Sequence, residues 1–151
     1  KLIADIQCSS QIGSITKFKK FSLLCPNERE ARIALQDKSI SLEGLSQNLL
    51  KITEAEQLIM KLGASGFIAY EKNNLGQYFS QSFPALSVNP LDVSGAGDSL
   101  LAVMSIGLAS GQSMMVSSAL AACMAGLSVQ TMGNTPITSQ SLRKNIMEIF
   151  S

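Results

Sequence analysis

The residues most able to do chemistry sit together at Ser94-Gly95-Ala96-Gly97-Asp98, with Asp92 just ahead and the uncharged stretch Ser99–Leu142 behind. Glycines that open a helix leave backbone N–H groups without acceptors, and the helix dipole favours an anion there. Small side chains let a phosphate approach the backbone. A carboxylate in the same first turn repels that phosphate, so Asp98 needs a role. In phosphoryl transfer the role is general base: it takes the proton of an attacking hydroxyl while the N–H groups hold the transferring group. The plainer alternative is that Asp98 only complements a helix N-terminus, worth about 0.3–1 kcal/mol. Two other glycine motifs fail. A dinucleotide fingerprint needs a third glycine where Leu100 stands, and a P-loop needs a lysine that does not follow these glycines.

Composition closes off other chemistry. The 151 residues contain no His, which excludes Ser-His-Asp triads, Cys-His pairs and His-ligated metals within this chain. Cys8, Cys25 and Cys123 are scattered, without CxxC spacing, and read as reduced, mostly buried thiols of a cytoplasmic protein. Lys plus Arg is 12 and Asp plus Glu is 11, a net charge of +1, which gives no electrostatic case for nucleic acid or an anionic membrane. Apolar residues make up 46%, ordinary for a globular domain and too many for a disordered chain.

The charge is unevenly placed. Twenty of the 23 charged residues precede Ser99, and the 44 residues from Ser99 to Leu142 have none. A membrane span needs about 20 mostly apolar residues. Leu100–Ala109 is too short, and Met114–Val129 is interrupted by Ser117, Ser118, Gly126 and Ser128. Close-packed helices of a core layer, covered on both sides, are the better reading.

The elements that position these residues alternate between strand and helix. Leu2–Ile6 and Phe21–Cys25 are short apolar runs with the character of buried strands, separated by a loop over Cys8–Phe18. Pro26 disfavours helix at Cys25, and Asn27 is placed to cap a helix starting at Glu28, whose Glu28 and Glu30 suit its positive end. Ser41 caps a helix from Leu42 to about Lys61, with Leu45, Leu49, Ile52, Ala55, Ile59 and Leu62 at helical spacing. Gly63 and Gly66 flank a turn. Phe67–Tyr70 and Gly76–Phe79 form a hairpin about Asn73-Asn74, and Phe83–Val88 is extended. Helices follow over Gly97–Ala109, Ser113–Met132 and Ser139–Phe150, broken at Gly111 and at Gly133–Pro136. Such alternation predicts an α/β fold with a mostly parallel sheet and flanking helices.

Three motifs in this order resemble the ribokinase-like (PfkB) sugar kinases. Asp92-Val93-Ser94-Gly95-Ala96-Gly97-Asp98 resembles the family's D-[TS]-[TS]-G-A-G-D signature, Asn27–Glu30 its N-x-x-E motif after a strand, and Leu62–Gly66 its nucleotide-side glycine turn. The resemblance implies a three-layer α/β/α fold, ATP and Mg2+ as cofactors, and a sugar or sugar phosphate as partner. It implies Asp98 as the catalytic base and Gly95, Ala96 and Gly97 as the anion hole. Asn27 and Glu30 would organise magnesium through water. Ser94, Lys61, Gly63 and Gly66 would face the nucleotide. Without it, Asn27 is a plain cap and Glu30 a surface carboxylate. The sequence departs from the family at Lys61, where Thr or Ser is common, at Val93 and at Leu100. Those departures and the run Leu24–Ala31 resemble the kinases of D-glycero-D-manno-heptose 7-phosphate, which make the bisphosphate precursor of ADP-heptose for lipopolysaccharide.

Family members are roughly twice this length, so the resemblance covers a C-terminal half, residues 1–151, carrying the ATP side and the base. The N-terminal half, with the lid and most sugar contacts, is not in this chain, and the chain alone is expected not to turn over sugar. Gly133–Pro136 lies where relatives hold a monovalent cation. Another sugar kinase of the family, or a catalytically inactive nucleotide-binding fragment, are the alternatives, and the reading is compatible with a homo-oligomer.

Overall fold

The computed structural model describes residues 1–5, 14–87, 91–131 and 135–150. The expectations for Cys8, for the end of the first strand at Ile6, for Val88, for Met132 and for Gly133 and Asn134 lie outside them. The chain divides into two compact units, 1–82 and 83–151.

The first unit is built on a sheet of five strands in chain order: β1 Ile3–Ala4, β2 Leu23–Leu24, β3 Gln57–Lys61, β4 Phe67–Lys72 and β5 Tyr78–Phe83. β1, β2 and β3 run parallel, with Ala4 beside Leu24 and Leu24 beside Leu58. β3 meets β4 antiparallel, and β5 completes the hairpin around the Asn73 turn. Helix α1 spans Glu28–Leu35 and α2 spans Leu42–Thr53. Leu24, Leu45, Leu49, Leu58, Met60 and Tyr70 form the centre of one buried cluster. The Tyr70 hydroxyl donates to Glu43 Oε2 at 3.0 Å, and burial is the main reason its pKa is pushed up to about 12.

Helix α2 is shorter than its spacing predicts. It stops at Thr53 because Glu54 turns left-handed (φ 56°), and residues 57–61 form β3. Leu58, Ile59 and Met60 are all fully buried, as in a strand covered on both faces, where apolar residues run on without alternating. Ile59 and Leu62 therefore kept helical register by coincidence. Ile52, expected inward, is 44% exposed; Leu45, Leu49, Leu50 and Thr53 make the buried face. Part of the expected loop before β2 is a 3-10 turn, Ile15–Lys17, with Ile15 buried. Residues 84–87 form no strand.

The second unit holds α3 Ala96–Ala109, α4 Met114–Ser128 and α5 Ser139–Phe150. Among the described residues no helix is long and apolar enough to cross a membrane. α3 and α4 are joined at Gly111 (φ 81°), and Ser113 caps α4 by accepting from the Val116 N–H. The small residues permit close approach. A Cβ at Gly107 would lie 2.5 Å from Ser117 Oγ and 3.0 Å from Ser117 Cβ. The expected cover on both sides is incomplete: Ile106 and Val116 are 68% and 48% exposed. Ser117 Oγ is buried without a hydrogen-bond partner. Gly107→Ala should therefore destabilise the fold by about 1–3 kcal/mol through overpacking. Adding Ser117→Ala should recover part of it in urea melts; no recovery would place the strain elsewhere.

Candidate functional site

In the first unit, the parallel pairing of β2 with β3 continues past Pro26 and sets Asn27 beside Lys61, with the Lys61 N–H donating to Pro26 O at 2.9 Å. This is the carboxyl end of parallel strands, where α/β sheets place ligands. Asn27 caps α1 as expected, in a complete capping box: the Glu30 N–H donates to Asn27 Oδ1 at 2.8 Å and the Asn27 N–H to Glu30 Oε2 at 2.7 Å. Glu30 is buried, 6% exposed, and so is not the surface carboxylate that the residues alone predict.

Magnesium takes oxygen ligands, keeps several waters and is usually held by one or two carboxylates with substrate phosphates. Glu30 and Asn27 offer donors of that kind. The one side-chain oxygen of Asn27 and one of the two of Glu30 are engaged in the capping box, and the described residues contain no cluster of three acidic or thiol groups that could hold a metal. An amide oxygen and a carboxylate are of the oxygen-donor type that a hydrated magnesium ion takes.

Asn27, Lys61 and Gly63 share the wall of a groove of about 900 Å3 that runs along α1. Gly66 is not on that wall. It closes the 3-10 turn Gly63–Ser65, with φ 88° and ψ −131°, and its carbonyl accepts from the Leu62 N–H at 2.8 Å. Gly63 (φ 59°) also holds a conformation that side-chain-bearing residues rarely adopt.

Two features of this groove were not apparent from sequence spacing. Lys61 Nζ is held by both oxygens of Asp5, at 2.8 and 2.7 Å, with the two side chains 18% and 13% exposed. The pair spans 56 positions and exists because β1, β2 and β3 lie in order. Beside it, burial and the Asp5 charge raise the Cys25 thiol well above its usual range, against a smaller lowering by Lys61. The groove also carries Arg29, Arg32 and Lys38.

In the second unit, Asp92 Oδ1 accepts from the Ser94 N–H at 2.8 Å and bends the chain into the glycine turn. Gly95 takes the left-handed conformation (φ 77°) and α3 starts at Ala96. The Ala96 N–H turns back to Val93 O at 3.4 Å, and intrahelical bonding resumes with the Ser99 N–H to Gly95 O at 2.9 Å. Gly97 and Asp98 are the next helix positions, whose N–H groups have no intrahelical acceptor. Asp98 is exposed and in the first turn.

Ser94, Gly95 and Asp98 line a cavity of about 320 Å3 together with Met124, Ser128 and Pro136. Ala96 and Gly97 are not on its wall. Of the expected cation loop, Thr135 and Pro136 are described and line this cavity. The arrangement can present backbone donors to an oxyanion with a carboxylate beside it.

Solved structures identify the fold. A ribokinase from Thermotoga maritima superimposes with a TM-score of 0.81 at 20% identity, over 96% of this chain and 48% of that one. An Arabidopsis thaliana ribokinase, solved with ribose and ATP, gives 0.76 at 24%, over 95% and 46%. The fold is therefore the ribokinase-like class of α/β proteins. Residues 10–140 match the family described as pfkB family carbohydrate kinase, and the chain belongs to that family.

Among curated relatives, the bifunctional protein HldE of Desulfatibacillum aliphaticivorans is 30% identical over 137 residues, covering 88% of this chain and 27% of that protein. The HldE of Bradyrhizobium diazoefficiens is 26% identical over 133 residues, covering 86% and 26%. The chain spans about a quarter of the length of these relatives.

Proposed function

We propose that the protein to which this chain belongs is an ATP-dependent cytoplasmic kinase of a sugar phosphate, heptose 7-phosphate in particular, supplying a precursor for lipopolysaccharide. The observation that carries the chemistry is Asp98: an exposed carboxylate in the first turn of α3, on a cavity wall, next to backbone N–H groups without intrahelical acceptors. The likeness to HldE proteins favours the heptose substrate over other sugars.

The acid and the glycine turn of the second unit serve the phosphoryl transfer, and the first unit's residues serve the nucleotide and metal side. Asp98 accepts the proton of the sugar hydroxyl as its oxygen bonds to the γ-phosphorus. The bond from that phosphorus to the β–γ bridging oxygen breaks, and ADP leaves with the electron pair. The turn Gly95-Ala96-Gly97 holds the negative equatorial oxygens, its small residues leaving the backbone accessible. Ser94 adds a hydroxyl at the rim of the same cavity. Asn27 and Glu30 would hold magnesium through water, and the bound ion would neutralise phosphate charge. Lys61, Gly63 and Gly66 form the nucleotide-side turn, and Thr135 and Pro136 border a monovalent-cation site.

This chain supplies the ATP side and the base, as the C-terminal half of the kinase domain, while the sugar contacts come from the rest of the protein. The test is ATP-dependent phosphorylation of heptose 7-phosphate by the full-length protein, followed as ADP release. Turnover should exceed that with ribose or fructose 6-phosphate by orders of magnitude. Preference for another sugar would move the protein elsewhere in the family. ATP binding without transfer to any sugar would make it an inactive nucleotide-binding module.

A further inference from the structure

A mostly buried ion pair adds little net stability over an apolar pair of the same size, because desolvation offsets the attraction. The Asp5–Lys61 pair is also costly to reach. Asp5 follows β1 and Lys61 ends β3, with β2 between them. Two strand spacings amount to about 9.6 Å. The lysine side chain therefore lies across the end of β2 to put Nζ on both Asp5 oxygens, at 2.8 and 2.7 Å. Cys25, next after β2, is fully buried and feels both charges, which agrees with that path. Among the described residues Nζ meets no other acceptor.

Lys61 nevertheless stands on the groove wall with Asn27 and Gly63, in a groove that already carries Arg29, Arg32 and Lys38. A free ammonium at this point would attract a nucleotide's phosphates equally before and after transfer. Such uniform binding lowers KM without raising kcat, and it slows departure of the product. The Asp5 carboxylate, which is not on the groove wall, cancels the charge and draws the ammonium along the sheet.

We propose that Asp5 is a positioning residue that acts through Lys61: it holds the ammonium back and cancels its charge, so that ADP leaves the groove quickly after transfer. The inference rests on the nucleotide-side reading of Lys61 and Gly63. It adds to that reading a residue outside the groove wall, and it assigns that residue to product release, a step that limits turnover in many enzymes.

The test is the rate at which the full-length protein releases a fluorescent ADP analogue, followed by stopped flow during a chase with excess ADP. Asp5→Asn should release it about three- to tenfold more slowly than the unmodified protein, since one negative charge is removed beside the phosphates. Lys61→Met should release it faster, and Asp5→Asn/Lys61→Met at a rate between the two. Added salt should narrow the differences. Slower release from a protein that has lost an ion pair is not what a merely structural role gives, because a loosened fold releases its ligand faster. Equal or faster release from Asp5→Asn would overturn the proposal. If Asp5→Asn does not fold, Lys61→Met and the double variant carry the same comparison: release should be slower from the double, and equal rates would overturn the proposal. An unmodified protein that binds no ADP would overturn the nucleotide-side reading and this proposal with it, whereas ADP binding with the wrong order of rates overturns the proposal alone.

Discussion

Asp98→Asn in the full-length protein should lower kcat by about 10²–10⁴-fold, the range that a positioned general base supplies, while the affinity for ATP stays nearly constant. Asparagine keeps the shape and the exposed place in the first turn of α3 but accepts no proton at neutral pH. The N–H groups of the glycine turn are untouched, so binding of the phosphate chain persists. Loss of the carboxylate from the helix N-terminus costs only about 0.3–1 kcal/mol of stability, and the melting transition should move little. The split between kcat and binding is the decisive measurement. Equal loss of turnover and of ATP affinity would assign Asp98 a structural part. Unchanged turnover would remove it from the reaction.

Lys61→Met should destabilise the fold by about 1–3 kcal/mol. Breaking a buried ion pair on one side costs about 3–5 kcal/mol, and partial exposure reduces that. Asp5 and Lys61 are 13% and 18% exposed, so removing the ammonium leaves a carboxylate in a poorly solvated place beside buried Cys25. The double change Asp5→Asn/Lys61→Met removes both charges of the pair and should recover part of the loss. Urea unfolding of the single and double variants closes the cycle. If the double variant is no more stable than Lys61→Met, the pair contributes through packing and not through charge. Lys61 thus has a structural partner in addition to its proposed place facing the nucleotide.

The capping box shows why part of the site was legible. Asn27 and Glu30 are three residues apart, and the geometry that joins them is set by the first turn of one helix. The turn at Gly95 is equally local: Asp92 reaches Ser94, and glycine supplies the left-handed residue before α3. Strand β3 is the opposite case. Ala55, Ile59 and Leu62 continue the spacing of α2, and nothing nearby distinguishes helix from strand until the chain reaches its partners. Pairing of Leu58 with Leu24 on one side and with Tyr70 on the other decides the matter.

The sequence by itself determined the glycine turn, the place of Asp98 in the first turn after it and the capped helix, because each rests on contacts within a few residues. It also favoured packed helices over a membrane span for the long uncharged tract, since serines and glycines interrupt its apolar runs. Only the tertiary structure decided that Asp5 grips Lys61, that Glu30 is buried, and that Arg29, Arg32 and Lys38 face one groove. Those facts depend on strand order and on the direction each helix turns its side chains, which are settled by burial of the whole apolar cluster around Leu24, Leu58 and Tyr70.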